Sequence, residues 1–245
     1  MRIKETPWEK ENLGVESSAV FYIEECDTGA ILEEKVVDNS EYIYQEAVVP
    51  TTRIDLLNLL LRNGFRFAEV AMQQSVKLPS SLPKAFERHA RNFSFQLANE
   101  DEINQVYHSI VNGYVFQTDK ISLNPRFGPK VAARRYINWV RKEISEKKAF
   151  LYMIQCKNEN IGFTILKIDE KRVCNGLLTG LLNLESYSGF GIYLGYCTIL
   201  AAGSMGAKCL KAHVSSNNIP VIKVNQLLGY QIEDMNYILT RYIEN

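Results

Sequence analysis

Hydrophobic positions along the chain follow two rhythms, one of strands and one of helices. β-Branched and aromatic residues gather in "SAVFYIE" (18–24), "YIYQEAVV" (42–49) and "RFAEVAMQQSVKL" (66–78), and each run predicts a strand. Between the last two, "RIDLLNLLLRNGF" (53–65) sets Leu56, Leu57, Leu60 and Leu61 on one helical face, with Gly64 as the stop signal. "PSSLPKAFERHARN" (79–92) then breaks the pattern with two prolines and a charged run, and reads as a linker.

The pattern resumes with a strand at "FSFQLA" (93–98). A helix over 99–111 is opened by Asn99, with acids in its first turn. "GPKVAARRYINWVRKEISEK" (128–147) predicts a second amphipathic helix, with Tyr136 and Trp139 read as core residues. "AFLYMIQC" and "IGFTILKI" predict a hairpin around "KNEN", with Asn158 and Asn160 as turn formers. "NGLLTGLLNL" (175–184) hardly alternates, as a central strand should not. Helix 189–207 is entered through glycines, and "KCLKAHV" is a strand. A helix from Asn218 to Leu228 has Val221, Ile222, Val224, Leu227 and Leu228 as its expected buried face and a polar Asn225 in its middle. Gly229-Tyr230 closes it, and "MNYILTRYI" is the last strand. From residue 93 the order is β-α-α-β-β-β-α-β-α-β.

One segment echoes another. "AVVPTTRIDLLNLLLRNGF" (47–65) lies without gaps on "AHVSSNNIPVIKVNQLLGY" (212–230), at a constant offset of 165. Ala, Val, Ile and Gly coincide, Phe65 matches Tyr230, and both copies read strand, helix, Gly-aromatic, strand. A repeated half-fold is the expectation.

Composition narrows the function classes. Lys plus Arg and Asp plus Glu both total 28, so no overall field gathers nucleic acid or an anionic membrane. No apolar run approaches the roughly 18 residues of a spanning helix, and "MRIKETPWEKENLG" lacks a signal-peptide core. Cys26, Cys156, Cys174, Cys197 and Cys209 form no close pair and fit free buried thiols in a reducing compartment. Three dispersed histidines make no evident metal site. A cytoplasmic protein with no metal, nucleic-acid or membrane partner is expected.

The informative stretch is "LLTGLLNLESYSGFGIYLG". A central strand runs out near Leu182, and a helix begins at Gly189 and Gly191. Glycines let a backbone come close to a ligand, and the first N–H groups of a helix lack internal partners at the positive end of its dipole. That combination binds a pyrophosphate without a basic side chain. A plain strand-to-helix turn is the alternative reading.

Ser186-Tyr187-Ser188-Gly189-Phe190-Gly191 resembles the acetyl-CoA loop R/Q-x-x-G-x-G/A of the GCN5-related N-acetyltransferase (GNAT) superfamily. The run from Asn218 to Tyr230 is similar to the later signature N-x-x-A-x-x-L-Y-x-x-L-G-F, with Asn218, Leu228 and Gly229 matching by type. "PWEKENLGVESS", "LLRNGFRFAEVAMQQSVKL" and "TDKISLNPRFGPKVAARRYINWVRK" look most like the dTDP-fucosamine acetyltransferase branch, whose members acetylate a nucleotide-linked amino sugar. The resemblance implies an α/β (α+β) GNAT fold, a mixed sheet flanked by helices. It implies a partial half-domain at 1–80, a linker at 81–92 and a catalytic domain at 93–245.

It further implies an enzyme, an acyl-CoA-dependent N-acyltransferase that moves acetyl directly from acetyl-CoA to a small-molecule amine. Main chain from Thr179 through Leu181, Leu182 and Asn183 would hold the pantetheine arm and thioester. Ser186, Tyr187, Ser188, Gly189, Phe190, Gly191 and Ile192 would hold the pyrophosphate, and Asn218 and Asn225 would border the cofactor. Two residues depart from the pattern. Ser186 replaces the usual Arg or Gln. Asn225 stands where many members have a Tyr that protonates the departing thiolate; its amide can still donate to sulfur. Tyr193 and Tyr187 are alternative acids, and Glu185 and Asp119 alternative bases. On the acceptor side the loop 114–128 offers Phe116, Asp119, Asn124 and Arg126, the last able to pair a phosphate. A homodimer is a further expectation, because the last strands of this fold often cross an interface. The rival readings are a CoA-binding module with weak or no transfer, to which Asn225 and Ser186 both point, and a protein-assembly chain that binds no CoA.

Overall fold

The last strand of the chain is built into its first half. The computed structural model describes residues 1–37, 41–112 and 117–243. Its strands are β1 (Arg2–Glu5), β2 (Ser18–Tyr22), β3 (Tyr44–Pro50), β4 (Arg66–Lys77), β5 (Phe93–Leu97), β6 (Phe150–Cys156), β7 (Glu159–Ile168), β8 (Val173–Leu181), β9 (Cys209–Ser215) and β10 (Gln231–Tyr242). They form one mixed ten-stranded sheet in the order β1-β2-β3-β10-β4-β9-β8-β7-β6-β5. β10 is paired on both sides, to β3 and β4, and offers no free edge to another chain. The sheet edges are β1 and β5.

Helices cover both faces, giving an α+β architecture. One face carries α2 (Gly29–Leu32, continued as a π turn to Val37), α3 (Ile54–Arg62), α7 (Gly191–Ser204) and α8 (Ile219–Leu227). α5 (Glu100–Val111) and α6 (Gly128–Ser145) pack on the other face around Phe163, Met153 and Ile165. α1 (Glu9–Leu13) abuts α6, and α4 (Lys84–Ala90) lies beside α7. Asn99 starts α5 through a reciprocal capping box with Glu102. The β6–β7 hairpin turns on Lys157 (φ 50°) and Asn158 (φ 67°), the left-handed pair a two-residue connection needs.

The echo in the sequence is a two-fold relation in the sheet. At the offset of 165, β3 corresponds to β9 and β4 to β10. Val49 pairs with Tyr237 as Val214 pairs with Met72, and Ala47 pairs with Leu239 as Ala212 pairs with Gln74. Within the central β4–β10 pair, Val70↔Tyr237 and Met72↔Met235 exchange, and the bulge at Ile232/Asp234 corresponds to the bulge at Ile238/Leu239. The helix stops match too: Gly64 and Gly229 both have φ +83°. Alanine at either glycine is therefore expected to cost about 1 kcal/mol or more, by a similar amount at both, in denaturant unfolding. Indifference at one of them would break the equivalence.

Several elements differ from the sequence reading. The stretch 79–92, read as a linker, contains α4, and β1, α1 and α2 are additional. Asn160 belongs to β7 and accepts from Gln155, so Lys157 rather than Asn160 completes the turn. Trp139 is 39% exposed and is not a core residue. Leu61 is exposed while Leu56 and Leu60 are buried. At α8 the expected face holds in part: Leu228 is buried and Val224 packs inward, but Val221 and Leu227 face outward and Asn225 is buried beside them.

Candidate functional site

The sheet is open at one place. β8 and β9 run parallel and pair from Val173↔Cys209 to Gly176↔Ala212, then part, although β8 continues to Leu181 and β9 to Ser215. The corresponding strands of the other half stay together. β2 pairs with β3 through Tyr22↔Val48, and the Ile23 N–H donates to the Val48 carbonyl at 2.9 Å. The opening exposes the β9-facing main chain of residues 177–181. Thr179 stands there, its hydroxyl 2.8 Å from that of buried Thr164. Leu181 and Leu182 are half-buried.

The loop leaving β8 is held by its own residues. The Ser186 N–H donates to Asn183 Oδ1 (3.0 Å) and the Tyr187 N–H to the Asn183 carbonyl (3.2 Å). Tyr187 stacks on Phe190 and donates its hydroxyl to Glu159 (2.5 Å). Gly189 takes φ +92°, which a side chain would strain. Among the described residues, the N–H groups of Ser188, Gly189, Gly191 and Ile192 have no partner. They sit at the start of a fourteen-residue helix, where the dipole favours an anion.

Glycines set this helix close to α8. A Cβ on Gly195 would meet Leu228 Cδ1 at 2.6 Å, and one on Gly191 would meet Val224 Cγ2 at 3.6 Å. α8 is capped by Asn218, whose Oδ1 accepts from the Val221 N–H at 3.3 Å. Asn225, 7% exposed, donates through Nδ2 to Oε1 of Gln74 on β4 at 2.7 Å, and Gln74 is 2% exposed. The two-fold relation gives this pair a counterpart. Position 225 corresponds to Leu60 and position 74 to Leu239, and both leucines are fully buried. The half with the opening carries a buried amide pair where the other half has an apolar contact.

The remaining candidates lie as follows. Tyr193 is buried, stacked on Phe93 (4.2 Å between ring centres) and edge-on to Phe86. Glu185, Ser186 and Ser188 are exposed. Arg126 lays its guanidinium over the Tyr242 ring at 3.4 Å, and Asn124 accepts from the Arg126 N–H at 3.0 Å in the turn before α6. Phe116 lies outside the described residues. Among the thiols, only Cys174 and Cys197 are buried, and burial pushes both up to about 12; Cys26 is exposed. Neither buried thiol is an activated nucleophile.

A second polar cluster lies on the opposite face, under α6. Arg135 pairs with Glu9 (2.7 Å) and Lys120 with Glu46. These groups, with Tyr44 and Trp8, line a cavity of about 240 Å³. Asp119 accepts from the N–H groups of Ile121 (2.7 Å) and Ser122 (3.3 Å) through Oδ1. Among the described residues, its Oδ2, Oε2 of Glu69 and the Tyr44 hydroxyl are buried without a partner. Glu46, Glu69 and Gln74 do not stand out in the sequence reading. Glu46 follows Gln45, and Gln74 lies between Gln73 and Ser75, so residue type gives no local signal that these side chains are buried. Among the described residues, no group of three or more His, Cys, Asp or Glu is arranged to hold a metal.

No family model matches the chain, and no curated protein does. Solved structures do. A functionally unknown conserved protein from Staphylococcus epidermidis aligns with a TM-score of 0.60 at 13% identity, over 94% of this chain and 86% of that one. A GCN5-related N-acetyltransferase from Sphaerobacter thermophilus aligns with a TM-score of 0.57 at 9% identity, over 82% of this chain. The alignment spans 60% of that protein's length. A GCN5-related glucosamine N-acetyltransferase region of a fungal multi-domain GH3 β-N-acetylglucosaminidase gives a TM-score of 0.56 at 13% identity, over 80% of this chain and 25% of that one. At such identities the likeness is one of fold: the chain is folded as the GNAT acetyltransferases are.

Proposed function

We propose that this chain is an acyl-CoA-dependent N-acetyltransferase that passes acetyl directly from acetyl-CoA to a primary amine. The observation that carries the reading is the parting of β8 and β9 beside a helix start with four free N–H groups, a combination the other half lacks. Acetyl-CoA fits these groups chemically. Ser188, Gly189, Gly191 and Ile192 supply donors for a pyrophosphate. The unpaired edge of residues 177–181 supplies main-chain donors and acceptors for the amide arm and a donor for the thioester carbonyl. The Asn225 amide, fixed by Gln74, keeps a second N–H for the sulfur. Direct attack by the amine suits a site whose buried thiols are held protonated.

The amino-sugar acceptor is part of this proposal. It draws on the sequence resemblance to amino-sugar acetyltransferases and on the fold shared with the fungal glucosamine N-acetyltransferase region. A CoA-binding module with weak transfer is the second reading, favoured by the engagement of Asn225 with Gln74 where a Tyr would supply a proton. Release of free thiol from acetyl-CoA across an amine panel, amino-sugar nucleotides first, separates the two. Turnover supports the transferase. Stabilisation by CoA with no turnover across the panel supports the module, and no stabilisation contradicts both.

A further inference from the structure

We infer that Glu69 and Asp119 form the seat for the acceptor's ammonium group, and that Glu69 takes its proton. The inference rests on the acetyl-transfer reading and names the charge state of its acceptor. Among the described residues, the cluster under α6 holds four carboxylates, Glu9, Glu46, Glu69 and Asp119, with two ion-paired cations, Lys120 and Arg135. These cations pair with Glu46 and Glu9. Lys4, which lines the cavity there, lies over the Trp8 ring. Among the described residues, Glu69 and Asp119 are left with no ion-pair partner of their own, and each has one buried oxygen that accepts nothing. A buried, unpaired carboxylate is costly unless a cation or a proton joins it. Glu69 is only 7% exposed.

On β4, Glu69 is two residues from Ala71, the partner of Ser215, and Ser215 is the last residue of β9. The Ser215 side chain lies beside the Glu69 carboxylate. Glu69 thus stands at the mouth of the opening, on the face opposite α7 and α8. A thioester arm anchored at the start of α7 reaches that face through the gap between β8 and β9, and an amine held by Glu69 and Asp119 meets it there. The two-fold equivalent of Glu69 is Asp234, which is exposed and bonded to the Met235 N–H and to Asn236. A satisfied surface carboxylate on one side has become a buried one with an unpartnered oxygen on the other.

The step balances as follows. The ammonium gives one proton to Glu69, and its freed lone pair forms the N–C bond to the thioester carbonyl. The C–S bond breaks, the sulfur leaves with the bonding electrons, and the second proton from nitrogen ends on it. The proton on Glu69 returns to solvent. The site therefore selects aliphatic amines that arrive charged, over arylamines and alcohols. Burial is the largest influence on Glu69 and raises its carboxyl above the usual carboxylate range, against the pull of Ser215 and Lys120; nearby Asp119 and Glu46 raise it further. Burial raises Asp119 likewise, against the Ile121 and Ser122 N–H groups and the charges of Arg135 and Lys120. Tyr136 of α6 completes the surroundings.

The test is thermal unfolding near neutral pH with n-butylammonium chloride against sodium chloride at equal ionic strength, on the wild type, Glu69→Gln and Asp119→Asn. The wild type is expected to gain stability from the ammonium beyond the salt effect, and both variants to lose that gain. Glu69→Gln alone is expected to be no less stable than the wild type. It is also expected to lose the fall in stability with rising pH, because the folded protein binds the Glu69 proton more tightly than the unfolded chain does. In thiol release, the rise of rate with pH through the Glu69 titration should vanish in Glu69→Gln. Equal ammonium stabilisation of all three proteins, or none in the wild type, overturns the inference. So does a marked loss of stability in both variants. The acetyl-CoA shift is expected to be the same in all three proteins. Its absence everywhere, with the ammonium effect intact, would sink the transferase reading and leave the cation seat standing.

Discussion

Acetyl-CoA at about 100 times its Kd is expected to add about 2.7 kcal/mol to stability, and Gly191→Asp is expected to abolish that gain. For a chain of this size the gain corresponds to a rise in Tm of roughly 5–10 °C. The substitution isolates charge from shape. Gly191 does not occupy the left-handed region, and an added Cβ meets only Val224 Cγ2, at an ordinary 3.6 Å. A carboxylate in the first turn of α7 complements the helix dipole, by about 0.3–1 kcal/mol, so the variant without ligand should be as stable as the wild type or more so. The same carboxylate repels a pyrophosphate seated on the N–H groups of residues 188–192. A variant that keeps the full ligand shift would place the phosphates elsewhere.

Asn225→Leu is expected to cost about 1–3 kcal/mol, whereas Asn225→Leu combined with Gln74→Leu should return to within about 1 kcal/mol of the wild type. The single change leaves the buried Gln74 amide facing a hydrocarbon with its partner gone. The double change installs the contact that Leu60 and Leu239 already make at the equivalent place. Denaturant unfolding of the four proteins in the cycle gives the coupling directly. If the double variant is as unstable as the single one, the two halves are not interchangeable at this layer. If the amide serves the departing sulfur, the double variant should also fold and bind acetyl-CoA yet release thiol more slowly, on the order of 10–100-fold, the worth of a hydrogen bond to a charged group.

Periodicity found the elements with a one-sided apolar stripe. α5, with Asn99 at its cap, and α6 fall within a residue or two of their expected limits, as do β6 and β7, while β8 begins two residues and ends three residues earlier than expected. It missed β1 and α1 because "RIKE" and "EKENL" have almost no apolar pattern; β1 is an edge strand with every side chain exposed. α4 was hidden by Pro79 and Pro83, which stand just before it, and by its run of charged residues. The start of β10 was hidden by the polar "QIED" and its bulge.

The α8 reading was right for Val224 and Leu228, which pack against the glycines of α7, and wrong for Val221 and Leu227, which hydrophobicity alone placed on the buried face that Asn225 occupies. The turn at 186–192 was legible because glycine spacing is a local signal. The Asn225–Gln74 pair and the Glu69–Asp119 cluster were not. Each joins residues from distant parts of the chain through a sheet in which β10 lies between β3 and β4.

The central claim is that the opening between β8 and β9, and not its closed counterpart between β2 and β3, receives the cofactor. Titration of the isotope-labelled protein with CoA, followed through backbone amide resonances, tests this most directly. The account expects saturable shifts at Ser188, Gly189, Gly191 and Ile192 and along residues 177–181, with residues 18–23 and 44–50 unmoved. Shifts confined to the β2–β3 region, or no saturable shift at all, would contradict it.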